Sequence, residues 1–115
     1  RSDQACKGLL YRSQNQRGDS MRTAKSEFPD YDDTIIMPEG WIDTSWHNDV
    51  CPSFERDVGD VTYKIFCNFK DTDKREIGGL QFQVCYYLKA DDSLEFLREF
   101  DTLAEALSLI DEVTA

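Results

Sequence analysis

The chain has 115 residues, of which 40% are hydrophobic and 31% charged, and its net charge is −10. This length is typical of one domain, and no run of about 18 apolar residues is present that would predict a membrane-spanning helix. Affinity for DNA or RNA phosphates grows with the number of basic contacts. The acidic balance therefore argues against direct nucleic-acid binding.

The first twenty residues differ in composition from the rest. Residues 1–20 carry four basic and two acidic side chains, and Met21 then opens a strongly acidic sequence. We interpret residues 1–20 as a flexible leader, derived from a tag or from upstream read-through, and residues 21–115 as a single acidic domain. The alternative is a native arm that packs on a partner through residues 9–11.

Turn-forming residues bound the elements of the first half. Residues 26–34 are polar and contain a proline, which predicts a loop. Residues 35–37 predict a short strand that ends at a Pro-Glu-Gly turn. Residues 41–51 alternate between two faces, as a half-buried strand does. Pro52 should end that strand or place it at a sheet edge.

Two later segments alternate most clearly. Residues 61–70 and residues 80–89 each place apolar side chains on one face, and a connection with two consecutive glycines joins them. Residues 94–100 predict a last short strand, and an antiparallel meander is the simplest topology. The side chains assigned to the inner face are Val61, Tyr63, Ile65, Cys67, Phe69, Leu80, Phe82, Val84, Tyr86 and Leu88.

The C-terminal segment predicts a helix with a well-marked start. Thr102 and Glu105 match the capping box, in which each side chain satisfies a backbone N–H of the other residue. Leu103, Leu107 and Ile110 follow at i, i+4 and i+7, which gives one apolar stripe. The sequence therefore predicts an α+β fold, with an antiparallel sheet of four to five strands and one C-terminal helix packed on one face.

The most unusual stretch is residues 41–52, which contain the only histidine, His47. On a strand, His47, Asp49 and Cys51 would point the same way, about 7 Å apart at each i, i+2 step. His47 could act as a general acid–base, Asp49 or Asp43 could orient its ring, and Cys51 could be a nucleophile. These residues define an enzyme alternative, and they could also bind one metal ion. We favour a polar outer face without chemistry, and predict no catalytic residue, metal or cofactor.

The four cysteines show no C-x-x-C pair, which argues against a structural zinc site. In the predicted phases Cys67 faces the helix-covered core and Cys85 faces the other way. Neighbouring strands could not then bridge them, because a disulfide needs Cβ atoms within about 4.5 Å. Buried thiols in a reducing compartment follow, and we predict a cytoplasmic protein.

Acidic residues recur in four clusters, none of which fits the calcium-loop pattern. Solvated loops would explain them without any function. A contiguous negative face could instead attract a basic protein, which defines a second alternative, an acidic inhibitor that mimics nucleic acid. The clusters are Asp30, Asp32 and Asp33; Glu55, Asp57 and Asp60; Asp71, Asp73 and Glu76; and Asp91 and Asp92.

Aromatic side chains on the sheet face opposite the helix predict a binding surface. Phe66, Cys85 and Tyr87 lie there in the predicted phases, with Leu97 beside them, and one helix cannot cover both faces of the sheet. An uncovered apolar face indicates a partner or a ligand, and a C2 homodimer is the commonest arrangement. The other outcome is that residues 22–40 cover this face. The predicted ligand-binding residues are Trp41, Trp46, His47, Phe66 and Tyr87.

Two segments of the acidic domain carry a resemblance to a known class of proteins. They are Ser-Trp-His-Asn-Asp-Val-Cys-Pro-Ser-Phe (45–54) and Phe-Asp-Thr-Leu-Ala-Glu-Ala-Leu (100–107), and they follow the Met21 start and its leader. In this layout the chain resembles the small orphan α+β proteins of bacterial mobile elements, in particular integron gene-cassette proteins. The resemblance implies an accessory binding role and transfers no catalytic residue.

Together these observations predict a binding module rather than an enzyme. We expect a homodimer that binds a small molecule or a protein partner, which could be basic, through the open sheet face. We expect no direct contact with nucleic acid and none with a membrane.

Overall fold

A computed structural model of the chain describes residues 23–76 and 78–114, so the predicted leader lies outside the described residues. Five antiparallel strands form one sheet in the order β1-β2-β3-β4-β5, which confirms the predicted meander and the α+β class. No helix among the described residues has the length and apolar character needed to cross a bilayer. The elements are α1 (Ala24–Glu27), β1 (Ile42–Asp43), β2 (Ser53–Val58), β3 (Val61–Cys67), a 3₁₀ turn (Thr72–Lys74), β4 (Phe82–Leu88), β5 (Asp91–Phe100) and α2 (Leu103–Thr114).

The first half of the sheet differs from its prediction. Residues 35–37 form no strand, and of the predicted strand 41–51 only Ile42–Asp43 pairs with a neighbour. The chain then loops back, and the N–H of Thr44 donates to the carbonyl of Ser53 at 2.9 Å. The six residues of β2, which lie directly after the proline that was expected to end a strand, were not predicted.

One hydrophobic cluster lies between the sheet and α2, on the face that was predicted to be covered. Ile65 and Val84 are fully buried there against Ala106 and Ile110 of α2. The strand phases predicted for β3 and β4 are therefore confirmed. Part of the N-terminal segment packs on the rim of the same cluster, through Ala24, Tyr31, Ile35 and Met37.

The opposite face of the sheet is buried as well. Phe66, Cys85 and Tyr87 are at most 2% exposed and cluster with Leu94 and Cys51. The prediction of an open apolar face is therefore wrong. Leu97, which was expected beside them, packs in the helix-side cluster instead. Of the segment 22–40, which was the other candidate for covering this face, Ala24, Tyr31, Ile35 and Met37 pack on the helix side instead.

That second face contains a fully buried ion pair. Glu55 of β2 and Lys64 of β3 are cross-strand partners, and Nζ of Lys64 lies 2.7 Å from Oε2 of Glu55 with both side chains 0% exposed. The hydroxyl of Tyr87 donates to Oε1 of Glu55 at 3.3 Å, and the ammonium lies 5.1 Å from the ring centroid of Phe66. A buried charge is costly unless it is paired, and each of these two charges supplies the partner of the other.

A β-bulge in β5 switches the sheet face on which its alternate side chains lie. Val84 is opposite Arg98 and Cys85 is opposite Phe96, so that Leu97 has no partner residue on β4. One extra residue reverses the alternation of side chains between the two faces. Leu94 and Phe96 therefore join the second cluster, whereas Leu97 and Phe100 join the cluster beneath α2.

Helix α2 begins where the sequence predicted, but its predicted capping box is only partly formed. The hydroxyl of Thr102 accepts a hydrogen bond from the N–H of Glu105 at 3.2 Å, as the capping box requires. The Glu105 carboxylate accepts the hydroxyl proton of Thr102 at 3.0 Å rather than its backbone N–H. One of the two predicted backbone bonds is thus in place.

Candidate functional site

The five predicted ligand-binding residues do not meet in one place. Trp41 packs at the rim of the helix-side cluster, whereas Phe66 and Tyr87 are buried on the other side of the sheet. The half-buried ring of Trp46 lies 4.3 Å, centroid to centroid, from the ring of His47. Because the sheet separates Trp41 from Phe66 and Tyr87, one ligand cannot contact all of them.

His47 contacts Glu27 rather than the groups proposed for catalysis. Its Nδ1 lies 2.8 Å from Oε1 of Glu27, and the same oxygen accepts the backbone N–H of His47 at 3.0 Å. The histidine side chain is 57% exposed, whereas Asp49 and Cys51 are 5% and 3% exposed. Since these residues lie on a loop, they do not share one strand face. The proposed base, His47, thus lies at the surface beside Glu27, whereas the proposed nucleophile, Cys51, is buried.

The cysteines of the described chain are buried thiols. Cys51, Cys67 and Cys85 are all reduced, and Cys67 and Cys85 lie on opposite faces of the sheet as predicted. Burial raises the pKa of the Cys67 thiol well above its ordinary value. A protonated thiol is a poor nucleophile. Within residues 23–76 and 78–114, no group of three or more His, Cys, Asp or Glu side chains is arranged to hold a metal ion.

The acidic clusters divide between the two ends of the sheet. Asp71 and Asp73 lie in the β3–β4 connection at one end, close to Asp32, whose carboxylate accepts the N–H of Asp71. Asp60 lies in the β2–β3 turn at the other end, beside the β4–β5 turn. The two groups are separated by the length of the strands. A nucleic-acid mimic requires one contiguous negative face, so the acidic-inhibitor alternative stays a prediction.

Carboxylates fasten the N-terminal segment to the sheet, beginning at α1. Thr23 caps this short helix by accepting the N–H of Ser26 at 3.1 Å. The backbone N–H of Ala24, the first residue of α1, donates to Oδ2 of Asp43 in β1 at 2.7 Å. The other oxygen of Asp43, Oδ1, accepts the N–H of Ser45 at 3.0 Å. Asp43 therefore has a fixed position between α1 and the edge strand.

Asp32 makes a second attachment, to the chain that leaves β3. Its two oxygens accept the N–H groups of Lys70 and Asp71 at 2.7 and 2.8 Å. Partial burial acts to raise the pKa of Asp32, but these donated hydrogen bonds outweigh it and hold the pKa below its ordinary value. Asp32 is therefore ionised at neutral pH and acts as a clamp that holds the N-terminal segment to the chain after β3.

Tyr31 and Asp33 make the third attachment. The hydroxyl of Tyr31 donates to the carbonyl of Asn68 at 2.9 Å, and Nε2 of Gln81 donates to Oδ2 of Asp33 at 2.8 Å. Burial raises the pKa of Tyr31 far above its ordinary value, so the phenol remains a neutral donor. The ring of Tyr31 also packs on Phe69 at 5.3 Å, centroid to centroid.

These attachments enclose a cleft of about 460 Å³ between residues 23–35 and the β1–β2 edge of the sheet. Its size lies within the range of small-molecule sites. Its two acidic residues, Asp33 and Asp43, form no ion pair with a described residue. The lining consists of Thr23, Ala24, Lys25, Phe28, Pro29, Tyr31, Asp33, Thr34, Ile35, Asp43 and Phe54.

Sequence reasoning missed this cleft because it assigned residues 26–34 to a solvated loop. The signal that could have found it is the pair Phe28 and Tyr31, two aromatic side chains inside an acidic stretch. Phe28 is only 8% exposed, so this part of the chain has a packed face. Asp43 was named before, but only as a group that could orient His47.

Comparison with known proteins identifies no relative. No family model matches the chain, and no curated protein or solved structure is significantly similar to it. The function is therefore inferred from the shape and chemistry of the cleft.

Proposed function

We propose that this protein is a non-catalytic binding module, and that its cleft takes a small organic cation with an amine or guanidinium group on an apolar body. The observation that carries the proposal is the pair of carboxylates, Asp33 and Asp43, among the lining residues of a cleft with aromatic walls. Both are held by hydrogen bonds from the chain itself. The site is therefore organised before a ligand arrives, which lowers the entropic cost of binding.

The aromatic side chains and the two carboxylates of the cleft are suited to different parts of such a ligand. Phe28, Tyr31 and Phe54 provide apolar surface and ring faces, to which cations are attracted. Each oxygen of Asp33 and Asp43 accepts a bond from the protein, and a carboxylate oxygen has a second lone pair for a ligand N–H. The net charge of −10 also favours the approach of a cation and opposes that of an anion.

Isothermal titration calorimetry with three probes of one shape tests this proposal. Phenethylamine carries the cation, 3-phenylpropionate carries an anion, and 2-phenylethanol is neutral. We expect saturable binding of the amine, weaker binding of the alcohol and none of the acid. D33N and D43N should each weaken amine binding about tenfold or more, since a hydrogen bond to a charged group contributes about 1.5–3 kcal/mol.

A matched control separates a site from general charge attraction. D60N also removes one negative charge, but Asp60 lies in the exposed β2–β3 turn and is not among the lining residues. Its amine affinity should equal that of the unchanged protein. Equal losses in D60N and D33N, or equal binding of the three probes, would contradict the proposal. Unfolding curves of each variant show whether the fold is retained.

Three further predictions belong with this proposal. An accessory binding role is consistent with the resemblance to integron gene-cassette proteins, and a reducing cytoplasm is consistent with three buried thiols. The homodimer stays a prediction, although the sheet face on which it depended is buried within the chain. Native mass spectrometry of the full chain measures the number of copies and any bound mass.

A further inference from the structure

The outer edge of β5 is a long unpaired strand edge within the part of the chain that the structure describes. β5 has ten residues, Asp91–Phe100, and the described strands pair with it only on the β4 side. Every second N–H and C=O of an edge strand points away from its sheet. Such an edge is a template to which another extended segment can add by main-chain hydrogen bonds.

A shallow groove of about 350 Å³ lies beside the C-terminal end of this edge, between β5 and α2. Its lining on the helix comes from positions at i, i+1, i+4, i+5 and i+8, which form one stripe along α2. Leu109 and Phe100 form its floor, with the guanidinium of Arg98 4.9 Å from the ring centroid of Phe100. The bulge at Leu97 turns Phe100 to this side. The lining residues are Arg98, Phe100, Ala104, Glu105, Ser108, Leu109 and Glu112.

The shape of this groove fits a strand laid along β5. Alternate side chains of an added strand point to the same face, about 6.8 Å apart. Those on the helix side would enter the groove, where Ala104 and Ser108 leave room for them, and those on the other side would not. Main-chain bonds then supply affinity and the groove supplies selectivity.

Charge decides between the possible occupants of the edge. The exposed side chains of Asp91 and Glu95 lie on β5, and Glu105 and Glu112 line the groove, against Arg98 as its single basic group. In an antiparallel β5–β5 pair centred on Glu95, Glu95 would face its own copy and Asp91 would face Glu99, and like charges on facing strands are destabilising. A segment with Lys or Arg side chains would be attracted.

We therefore propose that the β5 edge and its groove bind an extended, lysine- or arginine-containing segment of a partner protein by strand addition. This site is separate from the cleft of the proposed function, since it lies at the opposite edge of the sheet. Neither proposal depends on the other.

Peptide titration of the full ¹⁵N-labelled chain, followed by NMR, tests this inference. The probe is a capped peptide of alternating Lys and Val, and its two controls are the same peptide with Glu for Lys and one with N-methylated alternate amides. We expect the Lys peptide to shift resonances of β5 and of α2 residues 104–112 in a saturable manner, and both controls to bind at least tenfold more weakly.

Substitutions at Ala104 report on the groove. Ala104 is exposed, so A104R fills the groove with a bulky cation without disturbing the core, and A104S adds one oxygen only. We expect A104R to weaken the Lys peptide at least tenfold and A104S to leave it unchanged. Binding that survives both A104R and N-methylation would show charge attraction alone and overturn the inference. So would the absence of saturable binding, or a dimer whose interface maps to β5.

Discussion

Replacing Glu55 with Gln tests how the buried ion pair contributes to the fold. The substitution preserves the shape of the side chain and removes its charge. Lys64 is then left with a neutral acceptor and the ring of Phe66 in a site that is 0% exposed. At the 2.7 Å separation of Nζ and Oε2, the lost attraction is about 6 kcal/mol for an effective dielectric constant of about 20.

The expected loss of stability is smaller than that attraction. Removing one partner of a buried pair costs about 3–5 kcal/mol, and the remaining amide oxygen places E55Q near 3 kcal/mol. A domain is typically stable by about 5–15 kcal/mol, so the protein should still fold. Urea unfolding followed by tryptophan fluorescence measures the change as a lower midpoint with an unchanged slope.

Two further variants make this prediction refutable. E95Q is the matched control, because Glu95 is an exposed glutamate on a strand, and it should cost less than about 0.5 kcal/mol. The double variant E55Q/K64M removes both charges and keeps an acceptor for the Tyr87 hydroxyl. It should regain at least half of the loss. A loss below about 1 kcal/mol in E55Q, or additive losses in the double variant, would show that the pair is not strongly coupled.

Three other predictions concern single groups. T102A should destabilise the protein by about 1 kcal/mol, measured by urea unfolding, and an unchanged midpoint would show that the cap on Glu105 contributes nothing. Because the pKa of Asp32 is lower in the folded state than its ordinary value of 3.8, its contribution is complete above that pH and is lost as the pH falls below it. The stability difference between the protein and D32N should therefore be constant from pH 7 to 5 and shrink below about pH 3.8, and a pH-independent difference would contradict the clamp. Iodoacetamide at neutral pH should modify Cys67 far more slowly in the native protein than in urea, as peptide mass mapping measures, and equal rates would show that this thiol is not protected.

The sequence predicts those strands and helices that have a regular hydrophobic periodicity and that pack against elements adjacent to them in the chain. Strands β3 and β4 alternate clearly, and Thr102 marks the start of α2 within one residue. Strand β2 was missed because Glu55 reads as a surface residue, and its burial depends on Lys64 of β3 and on the hydroxyl of Tyr87 in β4. No pattern within β2 contains that information.

The candidate site was predicted less well than the fold, for a related reason. The alternation of residues 41–51 is regular, yet most of that segment is a loop that returns to begin β2. The cleft depends on hydrogen bonds between residues far apart in the chain, such as those from Ala24 to Asp43 and from Gln81 to Asp33. Such pairings follow from the folded geometry and are not visible as a motif.

Because of the bulge at Leu97, strand β5 contributes side chains to both hydrophobic clusters of the protein. Side chains before it belong to one cluster, and side chains after it belong to the other. Deleting this one residue would turn Phe100 to the wrong face, only three positions before α2 begins. The packing of α2 on the sheet therefore depends on the register of β5. A backbone shift around Leu94, which lies on the opposite face, would be passed along β5 to α2.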